Sequence, residues 1–301
     1  MNKLALTIGD PAGVGYEIIE GALREKPELT EELVVIGYAT WVDQLRKKYK
    51  VEGVPIPIRS RIKLGEPTID GGSNALQAMQ IAADGCKDGT FSGVVTGPIS
   101  KYWCQRAGLK HPGQTEFFAD QWNGEPTMAF VAKQMIVSLV TWHIPLMDVW
   151  KALTSEAISR ALTNTVNLLK KLGLKHPRIG VCGFNPHAGE MGHIGSEETE
   201  FLNPLIKTLQ SDSYELSGCH PADTVFYRHI SGEFDAVIAL YHDQALGPLK
   251  TVAFHNAVNV TLGLDYIRTS PDHGTAYGIA GAKIARPDSL ISAIDLAMKL
   301  R

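Results

Sequence analysis

Three histidines raise the first chemical question. TWHIPL, FNPHAG and LYHDQ place His143, His187 and His242 each a few positions past a short apolar, β-branched run. One histidine in such a loop is ordinarily a satisfied loop residue. Three at the same point after three different strands are another matter, because strand ends in a parallel sheet share one rim. Three neutral imidazoles leave an open position on a divalent cation, the pattern of catalytic rather than structural metal sites. Asp243 adjoins His242 and either orients it through a hydrogen bond or caps a helix. His193 competes with His187 within FNPHAGEMGH. It precedes a helix start at Ser196, where it is either a loop residue or an anion contact beside free N–H groups.

Three more polar residues follow at intervals of nine: Lys250, Asn259 and Arg268, each in or beside an apolar segment (GPLKTVAF, AVNVTLG, DYIRTS). Buried groups of this kind need partners. They form either structural salt bridges or an anion pocket for a carboxylate or phosphate. Near the N-terminus, GDPAGVGYE follows the first apolar run. Its glycines do not make G-x-G-x-x-G, and no G-K-[ST] follows. It is either a tight strand-to-helix turn or a backbone wall for a ligand.

The elements that must position these residues alternate along the chain. LALTI, ELVVIG, SGVVTG, MAFVAK, MIVSLVTW, RIGVCGF, DAVIALY and AVNVTLG read as strands. Helical spacing appears between several of them. In 155–172, Ile158, Leu162, Val166 and Leu169 share a face, Thr154 or Ser155 caps the start and Gly173 ends it. Residues 196–210 and 287–300 also read as helices, with Pro287 suited to a first turn. Such alternation predicts an α/β protein, with chemistry in the loops at the carboxyl ends of strands.

Composition narrows the function classes. At 301 residues and 44% hydrophobic, the chain carries enough apolar mass for one large or two medium domains. No apolar run reaches the length of a membrane span. LALTI is cut off by Asp10 and Pro11, so a first strand of a cytoplasmic protein is expected there rather than a signal segment. The net charge of −3 comes with no basic stripe, which argues against nucleic acid. Cys86, Cys104, Cys182 and Cys219 are scattered without a C-x-x-C pair, as expected in a reducing compartment.

Taken in order, GDPAGVG, TGPISK, GQTEFFA, TWHIPL, FNPHAGEMGHIGSEE, PADTVF, YHDQALGPLK, NVTLGLDYIRTS and DHGTAYGIAG resemble the 4-hydroxythreonine-4-phosphate dehydrogenase family over nearly the whole chain. The resemblance implies two α/β domains sharing a mixed, largely parallel sheet around a cleft, similar to the isocitrate and isopropylmalate dehydrogenase superfamily. It places residues 1–125 with 255–301 on the cofactor side and 126–254 on the metal and dimer side. It also implies a divalent metal (zinc, magnesium, cobalt or manganese) on His143, His187 and His242, in a homodimer whose sites draw on both subunits, with His242 coming from the partner chain. A small anionic substrate would meet Gln114, Thr115, Lys250, Asn259 and Arg268. Asp223 and Lys250 are the implied catalytic groups.

The reaction implied is NAD(P)-linked oxidation of a secondary alcohol β to a carboxylate, followed by decarboxylation, as in pyridoxine biosynthesis. Asp272, His273, Gly274, Thr275 and Ala276 resemble the superfamily's cofactor loop. Gly278 and Ile279 occupy the discriminating positions, and no basic residue there meets a 2′-phosphate, so NAD is favoured over NADP. Some positions depart from the family: Gln114 stands where a histidine is usual, Tyr16 where proline is common, and Trp142 and His220 replace smaller or apolar residues. These departures leave open a sister enzyme acting on 4-phospho-D-threonate or erythronate, or an aromatic-acid cis-dihydrodiol dehydrogenase. A non-catalytic metabolite-binding protein is the remaining class, and the complete histidine set with Lys250 and Arg268 argues against it.

Overall fold

The computed structural model describes residues 2–301. Its strands are β1 (Leu4–Thr7), β2 (Leu33–Tyr38), β3 (Glu52–Ile56), β4 (Gly93–Thr96), β5 (Thr127–Ala132), β6 (Met135–Leu139), β7 (Arg178–Cys182), β8 (Glu215–His220), β9 (Ala236–Ala239), β10 (Val258–Leu262) and β11 (Ile267–Pro271). The protein is α/β, with a mixed and largely parallel arrangement of strands. The chain divides into two units, Met1–Pro126 with Val258–Arg301, and Thr127–Ala257.

In the first unit the strands run in the order β3-β2-β1-β4-β11-β10. Neighbours are parallel except β10, which is antiparallel to β11. The helix Ile69–Lys87 covers one side with a face of Gly71, Ala75, Ala78, Met79 and Ala82. Thr68 caps it by accepting from the N–H of Gly71, which satisfies one of the helix's unpaired first-turn donors. Small side chains let the helix approach closely: a Cβ on Gly72 would lie 2.4 Å from the carbonyl oxygen of Trp103. Phe118 and Trp122 fill the remaining volume of this core.

In the second unit the order is β5-β6-β9-β7-β8, parallel except for the β5–β6 pair. Successive residues of β9 serve opposite faces, as the period of a strand requires. Ala236 and Ile238 join one core with Ile158, Leu162, Val166 and Leu169 of the helix Ser155–Lys171. Val237 and Ala239 join the other, with Val225, Phe226, Leu246 and Leu249. Each fully buried aliphatic side chain of this kind contributes on the order of 1.5–3 kcal/mol. Thr154 caps the helix Ser155–Lys171 as its sequence predicts. Pro287 is the N-cap of the helix Asp288–Leu300, one position before the first turn expected of it.

Three strands lack the apolar run that marks the others. β3 (EGVPI) and β8 (ELSGCH) are the outermost strands of their units, where one edge needs no apolar cover. β11 (IRTSP) is buried but carries Arg268.

The buried His229 pins β6 in place. Its Nε2 accepts from the N–H of Ile136 at 2.9 Å, and Nδ1–H donates to the carbonyl of Phe234 at 2.8 Å. Burial holds its pKa below the ordinary value. His220 is shifted the same way, by burial and then by Arg228. In the unfolded chain these imidazoles take up protons near pH 6.5, a proton the fold resists. Stability is therefore full above that pH and declines as pH falls below it. Thermal unfolding followed between pH 7.5 and 5.5 should show a falling midpoint. The His229→Gln variant, whose amide can make the same two bonds without titrating, should show a shallower fall.

Candidate functional site

The three candidate histidines follow β6, β7 and β9, which stand side by side as β6-β9-β7 and run parallel. Hydrogen bonds lace their ends together. Thr141 Oγ1 donates to the carbonyl of Leu240 at 2.7 Å, joining the ends of β6 and β9. Gln244, buried, joins β9 to β7: its Oε1 accepts from the N–H of Leu240 and its Nε2 donates to the carbonyl of Gly183, both at 2.8 Å. His143 and His242 come together on this rim, with ring centroids 5.7 Å apart. They line a cavity of about 440 Å³ with Trp142, Ile144 and Asp243.

His242 is held by its neighbour. Asp243 Oδ1 lies 2.7 Å from its Nδ1, so Nδ1 carries the proton and Nε2 keeps its lone pair. Of the two roles open to Asp243, orienting the histidine is the one whose bond is present. His143 adopts φ 42°, in the left-handed region. Imidazole nitrogens are ligands of the kind a divalent cation takes. Among the described residues, however, no group of three potential ligands closes around one point within a single chain. The pair that meets is His143 with His242 of the same chain, whereas the resemblance assigns His242 to the partner. His187 is exposed and does not line their cavity.

The FNPHAGEMGH segment holds a rare conformation. His187, Ala188, Gly189, Glu190 and Met191 all have positive φ, making a left-handed turn inside Pro186–Gly192. Each L-residue there costs roughly 1–2 kcal/mol, so the four non-glycine residues cost about 4–8 kcal/mol together. The opposing interaction comes from Glu198, fully buried. Its Oε1 accepts from the N–H groups of Phe184 and Asn185, both at 2.7 Å, and its Oε2 from Asn185 Nδ2 at 2.9 Å. Hydrogen bonds to a charged group contribute about 1.5–3 kcal/mol each, enough to offset that strain. Gly189 must be glycine: besides φ 78°, a Cβ would meet Glu198 Oε2 at 2.6 Å. His193 is exposed just past this turn, its N–H bonded to the carbonyl of Glu190.

A second cluster lies in the first unit. Arg268 is 3% exposed on β11. Its Nη1 donates to Asn259 Oδ1 at 2.7 Å and to Thr261 Oγ1 at 3.2 Å, and its Nη2 donates to Thr96 Oγ1 at 2.9 Å. Burial lowers its pKa to about 10, opposed by Glu116, so it stays charged at neutral pH. Thr115 Oγ1 stands 3.5 Å from Thr261 Oγ1. Gln114 Nε2 donates to the carbonyl of Gly97, next to Thr96, while its Oε1 is buried and lacks a hydrogen-bond partner. Asn259 and Arg268 are thus joined across the antiparallel pair β10–β11. Lys250 belongs to the other unit, on the helix His242–Ala253. Asp223 is exposed in the first turn of the helix Ala222–Ile230 and does not line the histidine cavity.

The closing loop is fastened to the first one. Tyr277 O–H donates to Asp10 Oδ2 at 2.6 Å, and the N–H of Val14 to the carbonyl of Thr275 at 3.0 Å. Glu17 accepts from the N–H groups of Gly281 and Lys283. A Cβ on Gly13 would lie 2.7 Å from the Thr275 carbonyl, so GDPAGVG serves as a wall for this loop. Burial raises the pKa of Asp10. Asp272 donates its N–H to Ser289 Oγ, His273 is exposed, and Ala276 has φ 48°. Gly274 and Gly278 face open space, which leaves their backbone accessible to a flat ligand.

Comparison with known proteins decides the family. The model of the pyridoxal phosphate biosynthetic protein PdxA matches residues 21–297. This chain belongs to the PdxA family. It is 39% identical to a 4-hydroxythreonine-4-phosphate dehydrogenase of Bradyrhizobium diazoefficiens, over 99% of this chain and 96% of that protein. The solved structure of a putative 4-hydroxythreonine-4-phosphate dehydrogenase from Salmonella typhimurium superposes with a TM-score of 0.88 at 33% identity, covering 100% of both chains. A terephthalate 1,2-cis-dihydrodiol dehydrogenase from Burkholderia xenovorans shares the fold, with a TM-score of 0.71 at 23% identity over 99% of this chain and 98% of that one.

Of the residues that sequence reasoning singled out, the structure joins His143 with His242 and Asn259 with Arg268; that reasoning missed Gln244, Glu198 and the Asp10–Tyr277 bond. The last had a signal in the GDP turn, whose aspartate follows an apolar strand directly. In Tyr277→Phe, amide exchange across residues 272–283 should quicken about tenfold, the loss of roughly 1.4 kcal/mol for one hydrogen bond to a carboxylate. Exchange measured by mass spectrometry should show no change in β5–β9.

Proposed function

We propose that this protein is a metal-dependent, NAD-linked dehydrogenase that oxidises and decarboxylates a phosphorylated 3-hydroxy acid, most like 4-phosphohydroxy-L-threonine giving 3-amino-2-oxopropyl phosphate. The observation that carries the reading is the laced rim that brings His143 and His242 together, with Asp243 fixing the tautomer a ligand needs. A divalent cation on His143, His242 and His187 would act as a Lewis acid toward the substrate hydroxyl and the ketone made from it. The third ligand, His187, would come from a second copy of the chain. Exposed apolar residues on the same loops, Leu146, Met147 and Met191, support such a homodimer.

The chain's own groups divide the remaining work. Arg268, already desolvated and hydrogen-bonded to neutral oxygens, holds an anionic group of the substrate, with Asn259 and Thr115 orienting it. Lys250 Nζ supplies or removes the proton at the carbon that loses carbon dioxide, and the Asp223 carboxylate is the second candidate for that role. The loop 272–276, braced by Asp10 and Val14, would hold the dinucleotide, which would supply the hydride acceptor. Among the described residues no helix is long and apolar enough to cross a membrane.

Gln114 favours a second reading. Its buried Oε1 is an acceptor, so the ligand must offer it a donor. A hydroxyl meets that need, and since both candidate substrates carry one, what favours the sister reaction on 4-phospho-D-threonate is that Gln114, unlike the usual histidine, cannot carry a positive charge. A panel of phosphorylated hydroxy acids and one cyclic diol acid, with NAD and NADP, with and without chelator, decides between these. The expected result is chelator-sensitive NAD reduction with a phosphorylated hydroxy acid. Reduction with the diol acid alone would overturn the substrate assignment. His187→Ala should lose both metal and turnover, and retention of both would refute the ligand set. Gln114→His should raise activity on 4-phosphohydroxythreonine. Arg268→Lys should raise KM about 30-fold, the ~2 kcal/mol of one charge-assisted hydrogen bond.

A further inference from the structure

We infer that Glu198 is a positioning residue for the metal: it holds the left-handed turn that presents His187. The inference rests on the reading of His187 as a ligand. His187 begins the run of five consecutive residues with positive φ. Internal bonds of the turn, from the N–H of Ala188 to the carbonyl of Asn185 and from Ile194 to Gly189, shape it but do not anchor it to the strand. Glu198 does. Its carboxylate grips the backbone at Phe184 and Asn185, between the end of β7 and His187, and also grips the Asn185 side chain. Asn185 Nδ2 reaches Glu197 Oε2 as well, at 2.8 Å, so two adjacent acids hold one amide. The Glu198 carboxylate is fully buried against Gly189, in the middle of the turn. Nothing in this geometry requires Glu198 to touch a metal or substrate. Its effect is on where His187 stands before a metal arrives.

The two oxygens of Glu198 separate by function, which makes the inference testable by degree. Both backbone N–H groups go to Oε1, and the Asn185 amide goes to Oε2. Glu198→Gln keeps the first pair of bonds and sets two NH2 groups against each other at the second. Glu198→Ala loses all three. The affinity of the purified, metal-stripped protein for Zn(II) alone, measured by competition with a chromophoric chelator, should fall about 10–100-fold in Glu198→Ala. Glu198→Gln should lie between that variant and the wild type. Hydrogen exchange at residues 184–195 should quicken in the same order. Glu190→Gly, which removes one left-handed penalty, should recover part of the affinity in the Glu198→Ala background.

His187→Ala is measured beside them. If His187→Ala loses zinc and both Glu198 variants keep wild-type affinity, the inference is overturned while the ligand set stands. If His187→Ala keeps zinc, the ligand set falls and the inference falls with it. Should Glu198→Ala fail to fold, Glu198→Gln decides alone: unchanged zinc affinity overturns the inference, and a severalfold loss with unchanged secondary structure supports it.

Discussion

The hydrogen bonds that tie the ends of β6, β9 and β7 to one another are the constraint on which the second unit's chemistry depends. Parallel strands place three loops on one rim but do not fix how those loops leave it. Thr141 and Gln244 do that: the Thr141 hydroxyl adds a second bond to the Leu240 carbonyl that its own N–H already reaches, and Gln244 pairs the Leu240 N–H and the Gly183 carbonyl. An unpaired buried backbone group would cost more than the bond it replaces is worth. The lacing therefore solves a folding problem and a positioning problem with the same atoms. His143 and His242 inherit their separation from it, and the left-handed φ of His143 is tolerable because the chain on its strand side is tied down.

The first unit solves a different electrostatic problem. A guanidinium taken out of water is costly unless its donors are satisfied. Arg268 satisfies its own with hydroxyl and amide oxygens from β4 and β10. Neutral partners hold it rigidly yet neutralise none of its charge, and Glu116 offsets the cost of burial only in part. Such a group attracts an anion more strongly than a lysine on the surface could. The histidine rim and the arginine cluster are thus both preformed, one by lacing backbone ends and the other by satisfying a charge without cancelling it.

Sequence made the histidines legible because their signal is positional. Each follows an apolar strand, and parallel neighbours need no further information to bring such residues to one rim. Arg268 and Asn259 were legible as polar residues in apolar surroundings. The even spacing that groups Lys250 with them carries no such physics, and the chain places Lys250 on a helix of the other unit. Glu198 and Gln244 left no comparable trace. SEET reads as an ordinary helix start, and a glutamine beside HD reads as surface polarity. Their partners are backbone groups, and a backbone group has no letter in the sequence. β3, β8 and β11 were hidden for a related reason: pairing with a neighbour, rather than apolar burial on two faces, defines them.

The distribution of departures from the family pattern follows from this division. Residues that brace backbone cannot change without moving a loop, since their partners have no substitute. Gln114 and Gly278 stand differently. Gln114 begins the helix Gln114–Trp122 with its amide oxygen unpartnered, and Gly278 faces open space on a loop held elsewhere by Asp10, Val14 and Glu17. A change at either alters what a ligand meets and leaves the scaffold where it was. Reaction type and ligand choice are therefore separable in this fold. On the proposed reading, the laced rim and the buried guanidinium set the first, and a few side chains projecting from braced loops set the second.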